Sequence, residues 1–235
     1  AAGRQFAEEH IGTSVEMEEI AEEIRDAGGT ATTATCDVRD EDQVAAVIAK
    51  AVSEYGRLDL MVNNAGIGYL MTDILSLEKS DWDAVLDVNL RGVFFGIKHA
   101  AKQMIAQGGG GRIINIASQA AKHGFAGAAA YVSSKHGIVG LTRTAALEFG
   151  PHGITVNSIC PNHVTTGLGA WQNEHFSAVR GQTEDDYLAA MRSRIPLGRP
   201  GLTSDIAGMC AFLASDEAQY ITGQNLDVSG GEEMH

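Results

Sequence analysis

Tyr131 and Lys135 stand four residues apart in the chain. On a helix this spacing puts both side chains on one face, so that an ammonium beside a phenol favours the ionised phenolate. A unit charge about 4 Å away contributes roughly 4 kcal/mol at an effective dielectric near 20. We therefore expect the pKa of Tyr131 to move from about 10 toward neutral pH. With Ser118, which follows the apolar residues 113–117, the pair predicts a proton-transfer site.

The composition favours a single globular domain that binds a small molecule. The 235 residues are 44% hydrophobic, and the 28 glycines with only 6% aromatic residues fit an α/β protein with many tight turns. The formal net charge is −13. Such a charge argues against nucleic acid or an anionic membrane as a partner.

The cysteines indicate neither a disulfide framework nor a metal site. Cys36, Cys160 and Cys210 are widely spaced and include no Cys-x-x-Cys pair. No apolar run approaches the roughly 20 residues that a membrane helix needs. We therefore expect a cytoplasmic protein.

Strand-like and helical segments alternate along the chain. Strands are predicted at residues 30–36, 58–62, 113–118, 155–160 and 225–228, and helices at 16–27, 40–55, 82–107, 131–149 and 205–214, the third of them broken near Asn89. This alternation predicts one Rossmann-type, doubly wound parallel sheet flanked by helices, spanning residues 1–235. Residues 166–195 are too long for a plain connection and are interpreted as an active-site lid.

From residue 30 onward the chain resembles the short-chain dehydrogenase/reductase family, because the family's motifs stand in order. They are Cys36-Asp37-Val38, Asn63-Asn64-Ala65-Gly66, Asn89, residues 113–118, Tyr131 with Lys135, residues 161–166, and Ile221-Thr222-Gly223-Gln224. The resemblance implies hydride transfer between NAD or NADP and an alcohol or carbonyl. It also implies a homodimer or homotetramer, to which the apolar side chains of Val93, Phe94, Phe95 and Ile97 could contribute unless they are buried in the monomer.

The resemblance also implies the catalytic roles. Tyr131 exchanges a proton with the substrate oxygen, and Ser118 orients that oxygen. Lys135 lowers the pKa of Tyr131 and binds the nicotinamide ribose. Asn89, a poor helix former inside a helical run, holds a water that links the lysine to solvent. The alternative for Asn89 is a core asparagine whose amide bonds only to the protein.

Cofactor contacts are implied for three segments. Asp37 and Val38 would meet the adenine, although Asp37 could instead cap a helix. Asn64, Ala65 and Gly66 would lie beside the cofactor, where Gly66 allows close approach, although a structural role for the asparagines is an equal alternative. Pro161, Val164 and Thr166 would line the nicotinamide side.

The chain departs from the family in two places. Asn162 stands where the family has glycine, and asparagine suits this turn because it tolerates positive φ. Residues 1–30 lack the family's glycine-rich pyrophosphate turn and its second strand. In the family's strand order these missing strands lie between the segments at 30–36 and 58–62. We therefore expect a longer natural polypeptide, with residues before Ala1 and between His10 and Glu16; the alternative is a truncated paralogue unable to bind the cofactor.

The substrate is expected to be a sugar alcohol or small diol. The Ser118-Gln119-Ala120 segment resembles that of polyol dehydrogenases, and Asn162, His163 and Trp171 add polar and aromatic groups suited to hydroxyls. Trp171 and Phe176 could instead pack the lid onto the core. Arginines 180, 192, 194 and 199 are expected to be solvated, but two of them converging on one cavity would favour a phosphorylated substrate. Alternatives are a 3-oxoacyl thioester reductase and a catalytically silent scaffold.

Overall fold

The computed structural model describes residues 14–68 and 71–234, apart from the side chains of residues 167, 168 and 171. Its sheet has four parallel strands in the order β1-β2-β3-β4, which are Leu60–Asn63, Gly111–Ile116, Ile154–Pro161 and Asn225–Val228. The predicted parallel α/β architecture is thus confirmed. Each of these four strands overlaps a predicted one.

The helices follow the predicted pattern closely. In chain order, α1 to α8 are Ser14–Asp26, Glu41–Tyr55, Lys79–Leu86, Gly92–Gln107, Ala129–Phe149, Gly167–Val179, Glu184–Arg194 and Thr203–Ala214. The start of α2 is fixed by Asp40, whose carboxylate accepts hydrogen bonds from the backbone amides of Asp42 and Gln43. None of the helices within the described residues is both long and apolar enough to cross a bilayer.

The sheet is covered by apolar side chains on both faces. Along β2, Ile113 joins a core cluster with Ile138 of α5, whereas the next residue, Ile114, joins a second cluster with Leu213 of α8. Successive strand residues point to opposite faces, so this division places helices on both sides of the sheet. Ile113, Ile138 and Ile114 are at most 1% exposed. The strand ends that carry the site are therefore held by a packed core.

Residues 30–36 were predicted as a strand, and this prediction was wrong. Within the described residues they join no ladder. Side chains bind their backbone instead: the Lys50 ammonium donates to the Thr33 carbonyl at 2.8 Å, and the Arg25 guanidinium donates to the Ala31 carbonyl at 3.2 Å. β1 is an edge strand of the described sheet, with Leu60 36% and Val62 38% exposed. A β-branched segment without a neighbouring strand cannot form a ladder. Residues 1–13, which include most of the interval between His10 and Glu16 where a gap is proposed, lie outside the described part.

The predicted helix break near Asn89 is confirmed as a π turn. Residues Asp87–Arg91 separate α3 from α4, and the Gly92 amide donates to the Asp87 carbonyl five residues earlier. Asn89 is 0% exposed. Its amide accepts from the Ile67 N–H at 2.8 Å and donates to the Ile67 carbonyl at 2.9 Å. The break thus directs an amide side chain against the segment that follows β1.

Candidate active site

Ser118, Tyr131 and Lys135 are brought together by β2 and α5. Ser118 follows the end of β2 in an extended backbone conformation, and a hydrogen bond joins its hydroxyl to that of Tyr131. On α5, the Lys135 Nζ atom lies 5.5 Å from the centroid of the Tyr131 ring. The shared helix face predicted from the spacing is confirmed. All three residues line one cavity of about 170 Å³.

The protonation states differ from the sequence-based expectation. Burial raises the pKa of Tyr131, and the Ser118 hydrogen bond opposes this only in part. Lys135 is 6% exposed and donates to the Ile116 carbonyl at 3.0 Å, and burial lowers its pKa to about 8. The prediction that the ammonium brings the pKa of Tyr131 toward neutral was wrong, because the largest effect on this pKa is burial of the phenol, which raises it. At neutral pH the phenol carries its proton and can donate it.

Two cavities meet at these residues. The smaller one contains Lys135, and a larger one of about 560 Å³ opens toward α6 and α7. Five residues line both: Ser118, Tyr131, Asn162, His163 and Gln172. A molecule in each cavity would therefore meet its neighbour beside the Tyr131 phenol. This geometry suits a reaction between two bound molecules.

The smaller cavity gathers most of the predicted cofactor residues. Asn64, Gly66, Pro161, Val164 and Thr166 all line it. A Cβ on Gly66 would lie 3.3 Å from the Asn89 Oδ1 atom and 3.8 Å from Lys135 Nζ, so only glycine lets a ligand approach the backbone closely here. Ala65 belongs to the same turn but is exposed and does not line the cavity. The donors and the open backbone fit the nicotinamide and ribose end of a dinucleotide.

Asp37 and Val38 line neither of these two cavities. The Asp37 carboxylate pairs with the Arg39 guanidinium at 2.6 Å, which lowers the pKa of Asp37. The alternative that Asp37 caps a helix was wrong, because Asp40 caps α2. Val38 packs against α4, where a Cβ added to Gly92 would lie 2.9 Å from the Val38 side chain. An adenine contact for these residues stays a prediction.

Asn89 is a satisfied core asparagine and still lies beside the cavity. Besides its two bonds to Ile67, its amide donates to the Ser134 hydroxyl at 3.3 Å. The Asn89 Oδ1 atom and Lys135 Nζ both lie close to where a Cβ on Gly66 would be, so the two side chains are on the same side of the turn that contains Gly66. The observed contacts agree with the alternative that Asn89 is a core asparagine whose amide is bonded to the protein. A role for Asn89 in a proton route stays a prediction.

The predicted substrate residues converge on the larger cavity, although Asn162 does so for an unexpected reason. Gln119, Asn162 and His163 line it. The described non-glycine residues all have negative φ, so Asn162 does not adopt the left-handed conformation expected of it. Instead its amide donates to the Glu232 carboxylate. Burial lowers the pKa of His163 and keeps it neutral. The Trp171 side chain lies outside the described part.

Several residues of the larger cavity were missed from the sequence. They include Met71, Tyr187 and Glu232, which come from three separate segments. Glu232 also accepts from the Arg194 Nε atom at 2.9 Å, and its neighbour Glu233 pairs with His123 at 2.6 Å. In the sequence, the adjacent Glu232 and Glu233 near the end of the chain indicate only a solvated surface segment. Contacts between residues far apart in the sequence bring this segment to the cavity.

Comparison with known proteins agrees with this geometry. A family model described as enoyl-(acyl carrier protein) reductase matches residues 4–233. A short-chain dehydrogenase/reductase of Armillaria gallica is 46% identical over 195 residues, which are 83% of this chain and 73% of that protein. The 3-oxoacyl-[acyl-carrier-protein] reductase FabG of Staphylococcus aureus is 39% identical over 232 residues, which are 99% of this chain and 89% of the relative.

Solved structures share the fold. A crystal structure of an actinorhodin polyketide ketoreductase variant with NADPH has a TM-score of 0.90 and 37% identity, covering 95% of this chain and 85% of that one. NAD⁺-bound xylitol dehydrogenase has a TM-score of 0.88 and 33% identity, covering 93% and 86%. The chain belongs to the short-chain dehydrogenase/reductase family, whose members are NAD(P)-dependent alcohol dehydrogenases and reductases. The resemblance drawn from the ordered motifs is confirmed.

Proposed function

We propose that this protein transfers a hydride between NAD(P) and a secondary alcohol or ketone, with Tyr131 as the acid/base. The observation that carries the proposal is the meeting of two cavities at the Ser118 and Tyr131 hydroxyls. The dinucleotide supplies or accepts the hydride when it is bound in the smaller cavity. The protein's own residues then have to place the substrate oxygen and exchange one proton with it.

Each catalytic residue has a geometric basis for its role. The Tyr131 phenol, neutral at physiological pH, donates its proton to the oxygen of a ketone. Ser118 bonds to that phenol and can bond to the same substrate oxygen, which fixes its position. One Lys135 N–H is engaged by the Ile116 carbonyl. An ammonium has three N–H donors, so two are left for ribose hydroxyls or a water. Asn89, beside Gly66 and Lys135, would hold that water.

A polyol or small diol is the substrate class that the larger cavity favours. Gln119, Asn162, His163 and Gln172 supply amide and imidazole groups around the reacting end. Such groups pair with several hydroxyls, each of which would otherwise lose its hydrogen bonds to water. The similarity to a xylitol dehydrogenase supports the same class.

A 3-oxoacyl thioester reductase is the second candidate. The larger cavity also contains Met71, Phe125 and Phe176, which could contact an acyl chain. The similarity to FabG supports this candidate. A thioester leaves the polar residues near Tyr131 with few partners, so we place it second.

We infer that residues 166–195 act as the substrate lid of this single domain. They contain α6 and α7, whose buried side chains Phe176, Tyr187 and Met191 form a cluster separate from those of the sheet. Because Phe176 and Tyr187 also line the larger cavity, movement of the two helices would open or close the substrate side.

We also propose that the protein is a homodimer or homotetramer that pairs through α4 and α5. Val93 and Ile97 are buried in the monomer core and Phe95 packs partly against it, but Phe94 is 43% exposed. Phe94 lines a groove between the π turn, α4 and α5 with Leu90 and Leu141. Light scattering of wild type and Phe94→Asp tests this proposal: a purely monomeric wild type contradicts it, and a smaller species in the variant supports it.

The function is tested with steady-state rates on a panel of polyols, diols and an acetoacetyl thioester, each with NAD(P) or NAD(P)H. Turnover of hydroxyl-rich substrates supports the leading proposal, and turnover of the thioester alone supports the second. Titration of NADH and NADPH by fluorescence is the companion measurement. Failure of both cofactors to bind the natural full-length protein would favour the silent scaffold.

A further inference from the structure

We propose that Arg180 is an anion-binding residue in the substrate cavity, and that the substrate is a small hydroxy compound carrying a carboxylate or phosphate. Arg180 follows the last turn of α6 and lines the larger cavity, together with Ser118 and Tyr131. The inference rests on the proposed function, whose substrate class it narrows. Arginine suits this role because its planar fork pairs two donors with two oxygens of a carboxylate or phosphate.

The guanidinium of Arg180 is held in place without being neutralised. Its Cζ atom lies 5.3 Å from the centroid of the Tyr187 ring, a cation–π contact with a residue that is only 7% exposed. Among the residues that the structure describes, Arg180 has no carboxylate partner. Arg180 is itself exposed, and stacking on the Tyr187 ring restricts its side chain, so an anion would bind with a smaller loss of side-chain entropy.

Arg194 provides an internal contrast in the same cavity. Its Nε atom donates to the Glu232 carboxylate at 2.9 Å, and the second oxygen of that carboxylate accepts from Asn162. The positive charge of Arg194 is thus already balanced by the protein. Glu232 and Asn162 form a polar wall that suits hydroxyls. Of the two arginines in the described lining, Arg180 is the one that has no carboxylate partner.

The positive charge of Arg180 contrasts with the negative charge of the whole chain. The formal net charge is −13, which disfavours the approach of anions. Among the arginine, lysine and carboxylate side chains that line the larger cavity, two arginines nonetheless stand against one glutamate. Recognition of a neutral polyol needs no such cation, whereas a hydroxy acid or sugar phosphate does. The sequence-based condition that two arginines converge on one cavity is met by Arg180 and Arg194.

The experiment compares matched neutral and anionic probes. We would measure kcat and KM for sorbitol, gluconate and sorbitol 6-phosphate with wild type, Arg180→Met, Arg180→Lys and Arg192→Met. Arg192 lies on α7, is exposed and lines neither cavity, so its variant controls for loss of one positive charge. We expect Arg180→Met to lower kcat/KM for an anionic probe by about 10- to 100-fold, mainly through KM, with partial rescue by lysine.

Each outcome discriminates. An effect on the phosphate or the carboxylate probe alone identifies which anion the site takes, and both support the inference. Equal losses for sorbitol and the anions would overturn it, since Arg180 would then only support Tyr187 and the lid. Unchanged kcat/KM for the anions in Arg180→Met would also overturn it. Absence of turnover of every alcohol by wild type contradicts the proposed function itself, and wild type that prefers sorbitol contradicts only the inference.

Discussion

The two walls of the candidate site are built in different ways. The wall formed by β2 and α5 places Ser118, Tyr131 and Lys135 against a core in which Ile113 and Ile138 are 0% exposed. The wall formed by α6 and α7 places Phe176, Tyr187 and Arg180 on a small separate cluster. A group that transfers a proton must keep its position within a fraction of an ångström, which a packed sheet provides. The proposed lid has only to select the substrate. On this view the sheet wall carries the reaction and the lid wall carries substrate recognition.

The largest expected effect is at the sheet wall. Tyr131→Phe removes the hydroxyl that exchanges the proton while leaving the ring in place. We expect kcat to fall by about 1,000-fold for every substrate, with the affinity for NADH nearly unchanged. Initial rates and fluorescence titration measure the two quantities. Turnover near that of wild type would overturn the assignment of Tyr131.

The pH dependence of the reaction rate should be set by Tyr131, which lies on the same wall. Because the pKa of Tyr131 is raised, the neutral phenol that reduction needs is present throughout the neutral range, and reduction should not vary with Tyr131 ionisation there. Oxidation needs the phenolate, so its rate should rise about tenfold per pH unit between about pH 6 and about pH 8. Rate profiles in both directions measure this difference. An oxidation rate independent of pH in this range would contradict it.

Packing at the sheet wall can be perturbed through Gly96 of α4. A Cβ there would lie 1.9 Å from the Asn63 Oδ1 atom, whose amide donates to Asn115 at 2.8 Å. Gly96→Ala should therefore lower the free energy of unfolding by about 2 kcal/mol, because the buried bond has to break or move. Gly208→Ala on α8 is the control, since its Cβ meets nothing within 4 Å and should stabilise slightly. Denaturant unfolding compares them; equal stabilities would contradict the packing argument.

The smallest expected effect is at the lid. Phe176, 5% exposed, contributes to the lid cluster and lines the larger cavity. If α6 and α7 form the proposed lid, Phe176→Ala should raise KM by about tenfold, because the loosened helices must be reordered on binding, while the pH profile of the reaction stays that of wild type. Kinetics across pH check both parts. A changed profile with unchanged KM would show that the two walls are not separable.

The sequence predicts the sheet wall better than the lid wall for a physical reason. Tyr131 and Lys135 are neighbours on one helix, and Ser118 ends an apolar strand, so local spacing is enough to join them. Glu232 meets Asn162 across 70 residues of sequence, and no local pattern specifies that contact. Residues 30–36 have β-branched side chains, but a strand needs a partner. The pKa of Tyr131 was mispredicted because burial, which raises this pKa, depends on the whole fold.

The π turn at Asp87–Arg91 has a consequence for the design of variants. A π turn holds one residue more than an α-helical turn, so deleting one residue here would let α3 and α4 join as one regular helix. Regular helices are better hydrogen-bonded, so we expect a more heat-resistant chain. The deletion would also remove the wide turn that directs Asn89 toward Ile67. In this protein the extra residue of the π turn lowers thermal stability but places the Asn89 amide against Ile67.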